Sequence, residues 1–422
     1  MTKKAKIYYA SMDDFWRKEE KLEWLREHPL KSIQFERITP DEKGNWLNLA
    51  NTDFQELMPL YDKVEMRIFA KMAMGVVTAR DEWVYDFDKK NLIEKMKTFV
   101  DVYSVNKGKT SELDDSIKWS DTLKSNALAK AYVLFDESKI VRAFYKPFTH
   151  KYFYAEKVFN DRLTANHVEL FGAKYSLKNC CVGYIGKDTV IPFSVLAFKT
   201  INDLNSLSNA AGGNKTFPLY RYDSNGVRYD NITDWALEKF RTHYNEKKIS
   251  KTDIFHYVYA VLHNPAYRKK YELNLKREFP RLPFYDDFYL WAKWGAELMD
   301  LHIGYETVEP YKLRIVNSGL KIEKPKPKLK ADKTVGVIVL DDETRLEGVP
   351  AIAWEYKLGN RSALEWILDQ YKEKKPSDKT IAEKFNTYRF ADYKEHVIDL
   401  LMRVCNVSVK TMEIIAEMRI RF

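Results

Sequence analysis

Apolar residues recur along this chain in two rhythms, one near 3.6 residues and one near 2, and their succession predicts a mixed architecture. Residues 13 to 27, DDFWRKEEKLEWLRE, set Phe15, Trp16, Leu22 and Leu25 at helical intervals behind the cap candidates Asp13 and Asp14. The KIYYA before them reads as a strand whose edge needs a cover, which a missing upstream partner would supply. Between 67 and 105 comes a strand-like run, MAMGVVTA, then TARDEWVYDF, then a helix, KKNLIEKMKTFVDVY, with Leu92, Met96, Phe99 and Val100 on one stripe. From 116 to 230 the runs shorten to AYVLF, FSVLAF and FPLYRYD, separated by the turn signals GKDT, NAAGGN and DSNG. The helical rhythm returns from 231 to 305, where NITDWALEKFRTHY opens on an Asn-x-Thr-Asp cap candidate and is followed by DIFHYVYAVLH and PAYRKKYELNLKREF. The segment KPKPKLKADK, 324 to 333, reads as a linker to a last part with a hairpin-like pair and helices near 361–374, 391–403 and 408–419. The predicted fold is α+β, a β-rich section braced by helices with a smaller mixed C-terminal section. It divides into 1–115, an N-terminal α/β section, 116–230, the β-rich section, 231–323, the helical section, and 324–422.

The 422 residues exceed the usual extent of one hydrophobic core, so two or three packed units are expected. Lysine and arginine outnumber aspartate and glutamate by 70 to 61, and the resulting charge of +9 favours a polyanionic partner. Aromatic residues make up 14% of the chain, which supplies buried area and also flat faces for bases or sugars. The three cysteines, Cys180, Cys181 and Cys405, match neither a disulfide ladder nor zinc spacing, so a reducing cytoplasm fits. The start reaches Asp13 and Asp14 before any apolar run long enough for a secretory signal, and no segment has the apolar length to cross a bilayer. The expectation is a cytoplasmic protein.

Several kinds of catalysis can be weighed against this sequence. An amino-methyltransferase grips a flipped base with an Asn/Asp-Pro-Pro-aromatic loop, and Asn264, Pro265, Ala266 and Tyr267 differ from it by one residue. They follow a helical run with no donor-binding glycine turn upstream, so NPAY reads as a turn between helices in which Pro265 opens the second. His256 and His263 sit seven apart on one helix face, too few ligands for a metal, and read as satisfied, partly buried side chains. Asp286 and Asp287 read as a helix cap, and Gly212 with Gly213 as a polar turn rather than a phosphate cradle. No catalytic centre and no cofactor are expected in this chain.

Basic residues interleaved with rings carry the positive signal. In VRAFYKPFTHKYFY, 141 to 154, Arg142, Lys146, His150 and Lys151 alternate with Phe144, Tyr145, Phe148, Tyr152 and Tyr154. The same alternation suits a strand with its charges in water. A second cluster, AYRKKYELNLKREFPRL, carries Arg268, Lys269, Lys270, Lys276, Arg277 and Arg281 around a stripe of Tyr267, Tyr271 and Leu275, and also suits a solvated helix face. A third, Lys321 to Lys333, is either a basic arm along a phosphate backbone or a connector. The candidate nucleic-acid contacts are Arg80, Lys118, Arg142, Lys146, Lys151, Arg268, Lys269, Arg277 and Arg361. Arg80 beside Asp81 suits a structural salt bridge as well.

Segments throughout the chain, in order KIYYASMDDFWRKEEKLEWL, VTARDEWVYDF, IKWSDTLK, YKPFTHKYFY, FPLYRYD, NITDWALEKF, DIFHYVYAVLHNPAYRKKYELNLKREFPRLPF, LGNRSALEWILDQY and VSVKTMEIIAEM, together resemble one family. It is the specificity region that follows the methyltransferase domain in Type ISP restriction-modification enzymes. The resemblance implies sequence-specific recognition of double-stranded DNA, base edges read by loops of the β-rich section and phosphates held by helix cations. In that family nuclease, ATP-driven motor and adenine-N6 methyltransferase parts, with S-adenosylmethionine, ATP and magnesium, precede this region on the same chain. This sequence departs from that layout, so they are expected on a separate chain, with a split system, a gene fragment and a relic all left open. Lys146 stands where the family often shows Arg before Pro-Phe, which removes a bidentate fork. The alternatives are a methyltransferase fragment using NPAY and a docking scaffold that never touches DNA.

Overall fold

A strand covered on both faces is apolar at nearly every position, and two strands of this protein, CVGYI and SVLAF, follow that rule with Ser194 as the polar exception. The computed structural model describes residues 5–420 apart from 14–15, 41–45, 47–50, 64–65, 209–212 and 320–322. The chain opens with β1 (Ile7–Tyr9), α1 (Lys18–Glu27) and β2 (Glu36–Ile38), β1 pairing antiparallel with β2. The predicted helix starts later than its acidic cap candidates, of which Asp14 lies outside the described residues, as does Phe15. Glu20 instead accepts from the Arg17 N–H at 2.6 Å, and Trp16, Leu22 and Leu25 are exposed rather than packed.

Of the MAMGVVTA run only β3 (Ala73–Met74) joins a sheet. A Cβ on Gly75 would fall 2.4 Å from the Asp203 carbonyl oxygen, so the backbones of 75–76 and 202–204 touch, sealed by Val76 N–H to Asn202 O at 2.8 Å and Leu204 N–H to Val76 O at 2.9 Å. Next come β4 (Tyr85–Asp86) and α2 (Lys89–Asn106), capped by Asp88, which accepts from the Lys90 N–H at 2.8 Å. Its predicted stripe of Leu92, Met96, Phe99 and Val100 is buried. Residues 131–135, AYVLF, form no strand: Val133 points inward while Tyr132 and Leu134 are exposed, and no neighbour supplies a ladder. The segment 141–154 is the hairpin of β5 (Ile140–Lys146) and β6 (Thr149–Tyr154), which pairs with β4 in the order β4-β6-β5.

The central sheet adds β7 (Cys181–Ile185), β8 (Ser194–Phe198) and β9 (Lys215–Pro218), ordered β3-β9-β7-β8. Every residue of β7 and β8 is buried. Their side chains alternate between two cores: Cys181, Leu196 and Phe198 face the hairpin and the C-terminal section, whereas Val182, Tyr184, Val195 and Ala197 face the helices.

Those helices are α3 (Asp234–Tyr244), α4 (Lys251–His263), α5 (Pro265–Lys270), α6 (Glu272–Arg277) and α7 (Phe288–Ile303). Thr233 caps α3 as the sequence predicts, Ser250 and Asp253 form a capping box on α4, and Asp287 caps α7. A Cβ at Gly295 would lie 1.8 Å from the His256 carbonyl oxygen, so α4 and α7 meet backbone to backbone.

The C-terminal section corrects two expectations. KPKPKLKADK is not a linker but β11 (Pro327–Asp332), in an antiparallel sheet with β10 (Arg314–Asn317), β12 (Val337–Asp341) and β13 (Thr344–Glu347), ordered β10-β13-β12-β11. Leu329 points into the core between exposed Lys328 and Lys330, a period of two that the lysine content masked. After α8 (Ala363–Gln370), the two helices expected at 391–403 and 408–419 are one, α9 (Lys394–Ile420). Asn406 and Ser408 weaken its middle, but Ser408 returns its hydroxyl to the Val404 carbonyl at 2.7 Å and Val404, Cys405 and Val407 are buried, so packing overrides propensity.

Candidate nucleic-acid interface

The β5–β6 hairpin turns through Pro147 and Phe148, the latter at φ 56°, a left-handed conformation unusual for a bulky residue. Burial of Phe148 against Tyr305, with ring centroids 5.2 Å apart, holds it there. The segment from 371 to 396 lies against the opposite end of this region. Glu82 accepts from the Ser377 and Asp378 N–H groups at 2.9 and 2.8 Å, Trp83 Nε1 donates to Asp378 at 2.7 Å, and Phe87 stacks on Tyr371 at 4.8 Å.

Two grooves result. One, of about 710 Å³, is walled by 76–83, by Asp115, Ile117 and Lys118, by 203–205, and by 377–379. The other, of about 410 Å³, lies between the hairpin and the C-terminal section and is lined by Phe87, Arg142, Lys151, Tyr152, Tyr371 and Tyr393 among others. Tyr145 lines neither but touches both linings, its hydroxyl donating to Asp81 of the first at 3.2 Å and its ring lying 4.0 Å from the Lys151 ammonium of the second. A third cavity, of about 450 Å³, also lined by Arg142, is edged by exposed Lys178 and Lys199.

The candidate cations separate by their surroundings. Arg80 is buried and spends its guanidinium on Asp161 (3.2 Å), the Ser120 hydroxyl (2.6 Å) and the carbonyls of Thr78, Lys118 and Phe159; its partner is Asp161 rather than Asp81. Lys146 is also buried, donating to the Asn205 carbonyl at 2.6 Å with Asp203 at 3.9 Å. Burial lowers the affinity of Lys146 for its proton and pushes Asp203 up to about 7. Lys118 stands exposed in the larger groove, and Arg142 is exposed at the smaller one, held by Glu306. Burial works to raise the Glu306 carboxyl, but His150 and Arg142 beside it outweigh that and bring it down to about 2. Lys151 is half-buried in the smaller groove, and desolvation brings it down to about 8.

The second-half candidates join neither groove. Arg268 donates to the Leu262 carbonyl at 2.6 Å and lies over Phe193, and burial brings it down to about 10. Lys269 and Arg277 are exposed on α5 and α6, and Arg361 pairs with Asp369 at 3.2 Å. Of the third cluster, Lys328 on β11 pairs with Asp342 at 2.8 Å, Lys333 just after it pairs with Glu365 at 2.6 Å, and Lys321 lies outside the described residues. Sequence reasoning passed over 371–396, where Lys372, Lys375 and Lys379 are exposed beside Tyr371 and Tyr393; the run KEKKPSDK between tyrosines was its signal.

NPAY serves the fold. Asn264 caps α5, accepting from Ala266 and Tyr267 N–H groups at 2.7 and 3.2 Å, and Tyr267 donates to the Arg281 carbonyl at 2.9 Å; both side chains are buried. His263 is buried and bonded to the Tyr259 carbonyl at 2.8 Å. Among the described residues no group of three or more metal-ligating side chains converges, and no helix is long and apolar enough to cross a membrane.

An α+β framework that turns cation-edged, ring-lined grooves outward is the build of a recognition module. The chain belongs to the family of Type ISP C-terminal specificity domains, whose model matches residues 67–400. No curated protein matches it. Among solved structures it is similar to the DrdV–DNA complex, at 42% identity and a TM-score of 0.85 over 98% of this chain and 43% of that one. It is also similar to a nuclease-deletion mutant of the Type ISP restriction-modification enzyme LlaGI in complex with a DNA substrate mimic (28%, TM-score 0.79, 98% of this chain and 39% of that one). A third match is the ATP-dependent Type ISP enzyme LlaBIII bound to DNA (27%, TM-score 0.79, 91% and 25%). The chain thus spans less than half the length of each of these structures.

Proposed function

We propose that this chain reads base sequence in duplex DNA as the target-recognition section of a Type ISP restriction-modification enzyme in the cytoplasm. The supporting observation is the placement of Lys118, Arg142 and Lys151 in two neighbouring grooves, in a fold shared with proteins solved on DNA. Exposed lysines of 372–379 extend the same positive rim. Their role is to fix register through phosphates, while the groove side chains of Asp115, Leu204 and Asn205 meet base edges. Arg80, Lys146, Arg268 and Arg361 hold the scaffold that aims them, and Lys269 and Arg277 offer outlying phosphate contacts.

Methylation and cleavage belong to methyltransferase and helicase-nuclease parts outside these 422 residues, which bring S-adenosylmethionine, ATP and magnesium. A separate chain carrying them would co-purify with this one in fixed proportion. The NPAY reading is disfavoured because Asn264 and Tyr267 are buried, with the Asn264 Oδ1 capping α5 and the Tyr267 hydroxyl donating to the Arg281 carbonyl.

Titrating a fluorescent duplex across salt tests the proposal. Three phosphate contacts predict roughly a 40-fold loss of affinity between 50 and 200 mM salt. A docking scaffold shows no binding at either concentration.

A further inference from the structure

The smaller groove holds a feature that packing alone does not explain. Lys151 comes from β6 and reaches a space walled by rings, with its ammonium 4.0 Å from the Tyr145 ring centroid and 4.7 Å from that of Phe87. These cation–π contacts account for its direction. Among the described residues it has no ion pair and no hydrogen bond, although it is largely withdrawn from water. Asp86, the carboxylate with the largest pull on it, is already taken by Lys95 at 2.8 Å and by Asn91 Nδ2 at 2.8 Å. A desolvated ammonium without a bonded anion is costly, and an incoming anion removes that cost.

The rest of the lining says what kind of anion. Tyr152 leaves its ring exposed at the rim, Tyr393 presents a partly covered face, and Tyr371 is buried behind them in the wall. Arg142 stands at the same mouth, tethered by Glu306, which keeps the guanidinium from turning freely into solvent. A volume of about 410 Å³ fits one small ligand. Cations beside stacking faces match a unit that carries both a phosphate and a flat ring.

Resting on the DNA-recognition reading above, we infer that this groove seats a single nucleotide unit of the bound DNA strand. Lys151 and Arg142 meet its phosphate, and Tyr152 covers its base or sugar.

The test compares the wild-type chain with Lys151→Met, Lys151→Arg and Tyr152→Ala in fluorescent duplex titrations across salt, with thermal midpoints recorded for each. Lys151→Met is expected to weaken binding roughly tenfold and to lower the salt slope by about one. Lys151→Arg restores both, and Tyr152→Ala, an exposed position, weakens binding severalfold without changing the slope. Wild-type affinity and slope in both Lys151→Met and Tyr152→Ala, with duplex still bound, would overturn the groove assignment and leave DNA recognition standing. Failure of the wild-type chain to bind duplex would remove both. Saturation of the groove by free deoxyadenosine monophosphate, with no competition from duplex, would also overturn it by making its ligand a free nucleotide.

Discussion

Replacing Arg80 by methionine lowers the unfolding free energy by about 3 kcal/mol, the cost of leaving a partly buried ion-pair partner and several carbonyls without their donor. The guanidinium ties three stretches together: 78–80 through the Thr78 carbonyl, 118–120 through the Lys118 carbonyl and Ser120 hydroxyl, and 159–161 through the Phe159 carbonyl and Asp161. Methionine fills much of the same volume, so the loss reads as polar rather than as a cavity. Urea unfolding of the two proteins measures it. Below the variant's transition, duplex affinity stays within about twofold of wild type, because the side chain offers DNA no free donor. Stability unchanged with affinity reduced tenfold would make Arg80 a DNA contact instead.

The second large effect is a fall in stability as the solution is acidified from pH 7.5 to 5. Burial holds three imidazoles neutral: His302 is lowered to about 3, His167 to about 4, and His263 falls well below its ordinary 6.5. His302 shows why. Its Nδ1 bonds the Tyr259 hydroxyl at 2.6 Å and its Nε2 the Thr411 hydroxyl at 2.9 Å, and Arg268 adds positive charge nearby. The Tyr259 hydroxyl in turn accepts from the Ala197 N–H at 2.8 Å, so one neutral ring locks the central sheet to α4, α7 and α9.

In this case the folded proton affinity lies below the unfolded one. The unfolded chain therefore takes up protons first as pH falls through 6.5, and stability is lost from there downward to the folded values. At pH 5 each such histidine costs about 2 kcal/mol relative to neutral pH. Asp203, raised to about 7, works in the opposite direction and regains part of the loss between pH 7 and 4. Three histidines against one carboxylate leave a net fall of a few kcal/mol, read from urea midpoints at the two pH values. The His302→Gln variant flattens that dependence.

How far the sequence reached is clear at particular residues. The helices of 89–106 and 234–277 were legible because stripe and cap coincide locally, as at Thr233 and Asn264. The central sheet was not, since its register pairs residues as distant as Ala73 with Thr216, which no local rhythm encodes. Lys328 and Lys330 hid a strand by their charge, while the alternation that betrays it runs through Leu329 and Ala331. In the candidate interface, alternation along 141–154 found the right hairpin but could not separate Lys146 from Lys151. The first meets the Asn205 carbonyl and the second meets only rings, a difference made by loops from other parts of the chain. The basic residues of α5 and α6 drew notice through density alone and joined neither groove.

Specific reading of duplex DNA is the claim on which the rest depends, and selection from a pool of random duplexes tests it most directly. Repeated capture on the immobilised chain, followed by sequencing, is expected to enrich one defined base pattern, with each mismatch costing about 1–3 kcal/mol. A captured pool as random as the input, from a chain that still binds DNA in a salt-dependent way, would contradict it.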